Sequence, residues 1–182
     1  MASNLPPSPS RSTISQRLQG MTLEQLQSLL KKCESSLSWC ERESAKSRLP
    51  EFMRLILGLQ TPRHILEWGS LLQSHKMLAV EASRDHGKSF VFSYAWPLFN
   101  VQRVKQGHKP INIALISYAE DQARKNLARI RKQIEGNQDL RWLLPKAKSY
   151  TWDAGYLNCG NDCTIETFGF GSSVRGGHYH II

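Results

Sequence analysis

Apolar residues recur at helical spacing through the first part of the chain. Leu23, Leu26, Leu30, Cys33, Leu37 and Cys40 follow one another at intervals of 3, 4, 3, 4 and 3. This is a heptad seam, and Thr22 with Gln25 forms a capping box at its start. Such a seam suits a short coiled coil, a partner-binding helix, or a helix packed on its own domain. The run is shorter than three heptads, so packing on its own domain is expected. Pro50 ends this helix. A short apolar helix then runs through Phe52, Leu55 and Ile56, with Gly58 at its C-terminus. Thr61-Pro62 reads as N-cap and first position of a further helix, with Ile65, Trp68, Leu71 and Leu72 on its apolar face.

The period changes at Lys76. Met77 to Val80 is a short apolar run that predicts a buried strand. A polar loop follows, and then the apolar stretch Phe90 to Phe99, where Pro97 is expected to kink or end a helix. Ile111 to Ile116 predicts a second strand. Ser117 with Glu120 reads as a capping box for a helix carrying Ala123, Leu127, Ile130 and Ile134 on one face. Strand, loop, helix, strand, helix is the order of a parallel sheet flanked by helices. Further on, Tyr156–Cys159 and Cys163–Phe168 flank Gly160-Asn161-Asp162 and predict a β-hairpin. Glycines at 169, 171, 176 and 177 crowd a loop, and residues 178–182 look like the start of another strand.

Composition narrows the class. A length of 182 residues with 40% hydrophobic residues fits one globular domain and excludes wholesale disorder. Residues 1–12 hold three Pro and four Ser and read as a disordered tail. There is no apolar run of membrane-spanning length and no secretory signal at the N-terminus. Four Cys do not make a disulfide scaffold, so the chain reads as cytosolic, soluble and basic. The net charge is +9, and residues 61–150 carry +8 of it, with 15 basic and 7 acidic side chains. A field of this sign favours polyanions such as nucleic acid or nucleotide phosphates, or else serves solubility.

The sharpest chemical signal is Ala82-Ser83-Arg84-Asp85-His86-Gly87-Lys88-Ser89. It departs from the phosphate-loop pattern only at its first position, where Ala82 replaces Gly. Backbone N–H groups in such a loop converge on a phosphate, and the following helix adds its positive N-terminus. Lys88 would reach the β- and γ-phosphates, and the Ser89 hydroxyl would bind Mg²⁺. Arg84 can reach the γ-phosphate or a neighbouring acid, or face solvent. Downstream, Lys125, Arg129 and Lys132 form a basic stripe with Arg124 and Arg131 beside it, able to track a phosphate backbone but more simply a solvated face. Cys159 and Cys163 bracket a turn with no second pair at ligand spacing, and His178 and His180 share one strand face, so a structural zinc is not expected.

Taken in order, these motifs resemble the N-terminal ATPase domain of the large terminase subunits of tailed bacteriophages and prophages. The resemblance rests on the 82–89 loop with its internal arginine, the Ile113–Ser117 strand with its long basic helix, the Gly171-Ser172-Ser173-Val174-Arg175-Gly176 segment, and the apolar strand after it. It covers roughly residues 60–182. It implies an ATP-driven motor that threads double-stranded DNA into a procapsid through a portal protein. It further implies a small terminase subunit as partner, a homo-oligomeric ring, the bacterial host cytoplasm as location, and no membrane. ATP and Mg²⁺ are the implied cofactors. Lys88 and Ser89 would hold them, Arg84 would sense the γ-phosphate, and Val174, Arg175 and Gly176 would form a coupling loop. The adenine contacts should lie near Thr61 to Trp68.

The family's paired acids follow the strand that starts near residue 178, and no acid follows it within these 182 residues. The expectation is therefore the front part of such a protein, without the C-terminal nuclease domain and with weak or absent hydrolysis. Another P-loop enzyme, such as a helicase-like translocase or a small kinase, and a non-enzymatic nucleotide- or DNA-binding remnant are the alternatives. The expected fold class is α/β: a P-loop NTPase parallel sheet flanked by helices, incomplete. The expected organisation is a tail over 1–12, an all-helical lead-in over 13–75 and the ATPase core over 76–182.

Overall fold

The computed structural model describes residues 21–145, 153–172 and 178–182. The expected tail over 1–12 and the coupling residues Val174, Arg175 and Gly176 lie outside the described residues. The chain divides between Cys40 and Glu41 into two units.

Helix α1 (Leu23–Ser47) starts in the first unit. Its capping box is formed: the Thr22 N–H donates to Gln25 Oε1 (3.0 Å) and the Gln25 N–H donates to Thr22 Oγ1 (3.3 Å). The seam is not covered within its unit, in contrast to the expected packing. Leu23, Leu30 and Leu37 are 72%, 61% and 65% exposed, and Cys33 and Cys40 are exposed as well. A single helix offers an apolar stripe, and the described residues of this unit include no second element to bury it.

The second unit is a mixed α/β body. Helix α2 (Leu49–Leu55) buries Leu49, Phe52 and Met53, and Gly58 follows it in the left-handed region (φ 65°). Helix α3 (Arg63–Ser74) buries Ile65. Its N-cap is Pro62, one residue later than Thr61, with no side-chain cap; the Pro62 carbonyl accepts from the N–H groups of Ile65 and Leu66.

The expected strand at 77–80 is absent. Met77 is 90% exposed, and among the described residues no segment pairs with this run. Apolar composition alone does not make a strand; a neighbour must take its N–H and C=O groups. The helical stretch after the loop forms as α4 (Lys88–Phe90), a π-turn over Val91–Ala95 and α5 (Trp96–Gln102). Pro97 does not end it. Proline has no N–H to give to the carbonyl four residues back, and the π-turn shifts the register so that the Trp96 N–H donates to the Val91 carbonyl.

Three strands form one mixed sheet in the order β1-β3-β2, with β1 (Asn112–Ser117), β2 (Tyr156–Asn158) and β3 (Thr164–Gly169). Strands β1 and β3 are parallel, with Ile113 beside Ile165; β2 and β3 form the expected hairpin, with Leu157 beside Ile165. An all-parallel sheet is therefore corrected to a mixed one. Beyond β1, Ile181 makes a single parallel bridge to Ile113, where the Ala114 N–H donates to the Ile181 carbonyl (2.9 Å).

Helix α6 (Glu120–Gly136) lies on this sheet and buries Ala123, Leu127, Ile130 and Ile134, the face the periodicity predicts. Its N-cap is Ala119, not Ser117, because Ser117 still belongs to β1 and its carbonyl accepts from the Phe170 N–H (2.8 Å). The core joins these side chains to Ile113, Leu115, Leu157 and Ile165 of the sheet, to Val91, Leu98 and Phe99 of the helical stretch, and to Phe52 of α2. Truncating one such fully buried Leu or Ile to Ala costs about 2–5 kcal/mol. No helix among the described residues is long and apolar enough to cross a membrane.

Candidate functional site

The 82–89 loop joins an extended segment to α4, and its backbone takes two left-handed steps, at Asp85 (φ 64°) and Gly87 (φ 78°). Gly87 is the N-cap of α4. Left-handed backbone is inexpensive for Gly87 and costly for Asp85, so the loop holds conformational strain at one non-glycine position.

The hydrogen bonding of the loop is one-sided. Five of its carbonyls, those of Ala82, Ser83, Arg84, His86 and Gly87, are occupied. Lys88 Nζ donates to the carbonyls of Ala82 and Ser83 (3.0 Å for the second). His86 Nδ1–H donates to the Arg84 carbonyl (2.9 Å), His64 Nε2–H of α3 donates to the His86 carbonyl (3.2 Å), and the Val91 N–H donates to the Gly87 carbonyl (3.0 Å). No backbone N–H from Ser83 to Gly87 donates to any of the described residues. These N–H groups are left open to water or to a ligand acceptor.

The loop opens onto a pocket of about 710 Å³ lined by residues 83–90 together with Gln122 and Arg129 of α6. Among the expected site residues, Ser83, Arg84, Asp85, His86, Gly87, Lys88 and Ser89 all line it. Ala82 does not line it; its carbonyl accepts from Lys88 Nζ. Arg84 is exposed and makes no ion pair with the adjacent Asp85 or with another described residue. The Ser89 hydroxyl is exposed and likewise has no hydrogen-bond partner among the described residues. Among the described residues, Asp85 is the one carboxylate in the lining.

Next to the loop lies a more apolar cavity of about 330 Å³, whose lining includes Met53, Leu59, Gln60, Pro62, His64 and Ile65 together with His86 and Phe90. It overlaps the Thr61–Trp68 segment where adenine contacts are expected. Trp68 does not line it; its ring contacts His64 (5.1 Å between centroids) and Phe92 (5.6 Å).

The basic stripe of α6 does not act as one surface. Arg124 pairs with Glu120 (2.7 Å), and Arg131 donates to the Asp153 carbonyl. Arg129 instead reaches the pocket of the 82–89 loop, with its guanidinium carbon 5.6 Å from the centre of the Phe90 ring. Sequence periodicity groups Arg129 with its helical neighbours, and nothing local marks it out. Gln122 and Arg129 stand seven apart on one face, but that face meets the loop only once α6 has docked. Tyr94, next to Phe90 (6.0 Å between ring centres), titrates above the usual tyrosine range because it is buried, and the positive charge of Arg129 partly offsets this.

The other candidates lie in the core and beside β1. Cys159 and Cys163 are free and buried in the core, and burial pushes both thiols above the usual range. Cys163 Sγ accepts from the Ile111 N–H (3.3 Å) and His180 Nδ1 accepts from the Asn112 N–H (3.1 Å), which ties both to β1. No group of three metal-ligating side chains occurs among the described residues. Comparison with protein-family models, with curated proteins and with solved structures finds no match to this chain.

Proposed function

We propose that this chain binds ATP·Mg²⁺ at the 82–89 loop and is the N-terminal part of a terminase-like motor that moves double-stranded DNA into a procapsid. The observation that carries the reading is the one-sided loop: orphan N–H donors from Ser83 to Gly87 beside Lys88, at the mouth of a pocket large enough for a nucleotide. The finer fold assignment, a P-loop NTPase sheet, belongs to the same proposal. It is supported by the parallel β1–β3 pair and by α6 between the loop and the sheet.

The roles follow from chemistry. The orphan N–H groups would take the β-phosphate oxygens. The Lys88 ammonium would exchange its two carbonyl partners for phosphate oxygens, a stronger charge-assisted contact. Arg84, without an ion-pair partner, is available to the γ-phosphate. The Ser89 hydroxyl is free to hold Mg²⁺, which when bound neutralises phosphate charge. The base would enter the cavity beside Gln60 and His64. The basic middle of the chain supports DNA as partner, and the portal protein, small terminase subunit and ring assembly rest on the family resemblance alone.

A second reading within the same site is nucleotide binding with little turnover. It is favoured by the lining, where Asp85 is the one carboxylate available to orient metal or water. Calorimetric titration of the full chain with Mg·ATP tests both. Micromolar-range binding that weakens more than tenfold in Lys88→Ala is the expected result. Absence of binding, or indifference to Lys88→Ala, overturns the assignment. A phosphate-release assay then separates the readings, with slow or no release expected. Steady release sensitive to Lys88→Ala would favour the enzyme over the non-enzymatic alternative.

A further inference from the structure

The five cations of the α6 stripe have different fates, and Arg129 is the one brought to the phosphate loop. Three observations define its situation. It lines the same pocket as Arg84 and Lys88. Its guanidinium carbon lies 5.6 Å from the centre of the Phe90 ring, within cation–π range, and Phe90 directly follows Ser89. It makes no ion pair or hydrogen bond with a described residue, so its donor fork is unspent. The pocket lining therefore carries Arg84, Lys88 and Arg129 against Asp85 alone, a net +2 that matches the −2 of a magnesium-bound nucleoside triphosphate.

We propose that Arg129 is a further phosphate-binding residue, contacting the terminal phosphate and so distinguishing a nucleoside triphosphate from a diphosphate. This rests on the nucleotide-binding reading of the 82–89 loop and adds to it a residue on a different element. The planar fork can donate to two phosphate oxygens side by side, and the cation–π contact with Phe90 keeps the guanidinium near the loop before the ligand arrives, which lowers the ordering cost. Because Arg129 sits on α6, and α6 buries Leu127 and Ile130 in the core with β1, occupancy of the terminal phosphate position is linked to the sheet by direct contact.

The test measures binding of fluorescent N-methylanthraniloyl ATP and ADP, each with Mg²⁺, to the full chain. Arg129→Gln is expected to weaken the triphosphate about tenfold and the diphosphate less than twofold. Arg129→Lys, which keeps the charge and loses the fork, is expected to lie between wild type and Arg129→Gln for the triphosphate. Lys132→Gln, one turn along the helix and outside the loop pocket, is expected to change neither. Equal weakening of both nucleotides, or no change in either arginine variant, overturns the role of Arg129 while leaving nucleotide binding intact. If the wild-type chain binds neither probe, the nucleotide reading fails and this inference fails with it. Lys88→Ala separates the two, since it is expected to weaken both nucleotides.

Discussion

Two tight turns of this chain carry the same backbone strain and spend their polar groups differently. Asp162 in the hairpin turn and Asp85 in the 82–89 loop both have φ 64°. Around Asp162, N–H donors are used. The Asp162 N–H donates to the Cys159 carbonyl (3.1 Å), the Gly160 N–H to the Leu143 carbonyl (2.8 Å), and Asn161 Nδ2 to the Val101 carbonyl (2.8 Å). The two flanking cysteines are buried. Around Asp85 the neighbouring carbonyls of Ser83, Arg84 and His86 are used, the N–H groups of Ser83 to Gly87 donate to none of the described residues, and the side chains of Ser83 to His86 are exposed. Strain is sustained at Asp162 by satisfied hydrogen bonds and at Asp85 by a loop with capacity left for a ligand. Strain alone therefore does not single out the 82–89 loop; strain beside unspent donors does.

Breaking the hairpin turn should have the largest effect on stability. A Cβ at Gly160 would lie 2.5 Å from the Leu144 carbonyl oxygen, a backbone atom that cannot step aside. Gly160→Val is expected to cost about 2–4 kcal/mol and to lower the melting temperature by about 5–15 °C in a circular-dichroism melt. A melt unchanged from wild type would remove the structural half of the contrast. Gly87→Val should cost less, about 1–2 kcal/mol, because its penalty is the left-handed φ while the nearest atom, Ile65 Cδ1, stands at an ordinary 3.5 Å. Its Mg·ATP affinity should fall by more than tenfold, since the run of open N–H groups loses its shape; a melt-only effect would count against a binding role for that run.

The finest comparison exchanges each strained aspartate for glycine. Asp85→Gly and Asp162→Gly should each shift stability by less than about 0.5 kcal/mol, because relief of strain offsets the added freedom of the unfolded chain. Only Asp85→Gly should tighten Mg·ATP, by about twofold to fivefold, through loss of a carboxylate from the phosphate pocket. Equal effects of the two on titration calorimetry would erase the distinction between the turns.

Local signals in the chain differ in how far they determine structure, and the residues involved explain why. The face of α6 follows from four apolar residues within one helix, and the hairpin from a polar turn between two alternating runs. The capping box at Thr22 is a contact between residues three apart. The 77–80 run carries the same apolar signature as β1, yet only β1 has a neighbouring strand. Ser117 with Glu120 has the spacing of a capping box, but β3 holds the Ser117 backbone in the sheet through Phe170. The seam of α1 predicts a face without naming what covers it.

The sequence by itself determined the helical periods, the turn residues and the spacing of Ala82 to Ser89, because each is a property of residues within a few positions of one another. It also determined the sign of the charge field, which needs only a count. The tertiary structure decided which backbone groups found partners and which cation reached the pocket. Those outcomes depend on elements distant in the chain: His64 from α3 holds the His86 carbonyl, and Arg129 from α6 meets Phe90 beside the loop. Neither contact has a local signature, since a hydrogen bond or a cation–π contact is fixed by distance in space and not by separation along the chain.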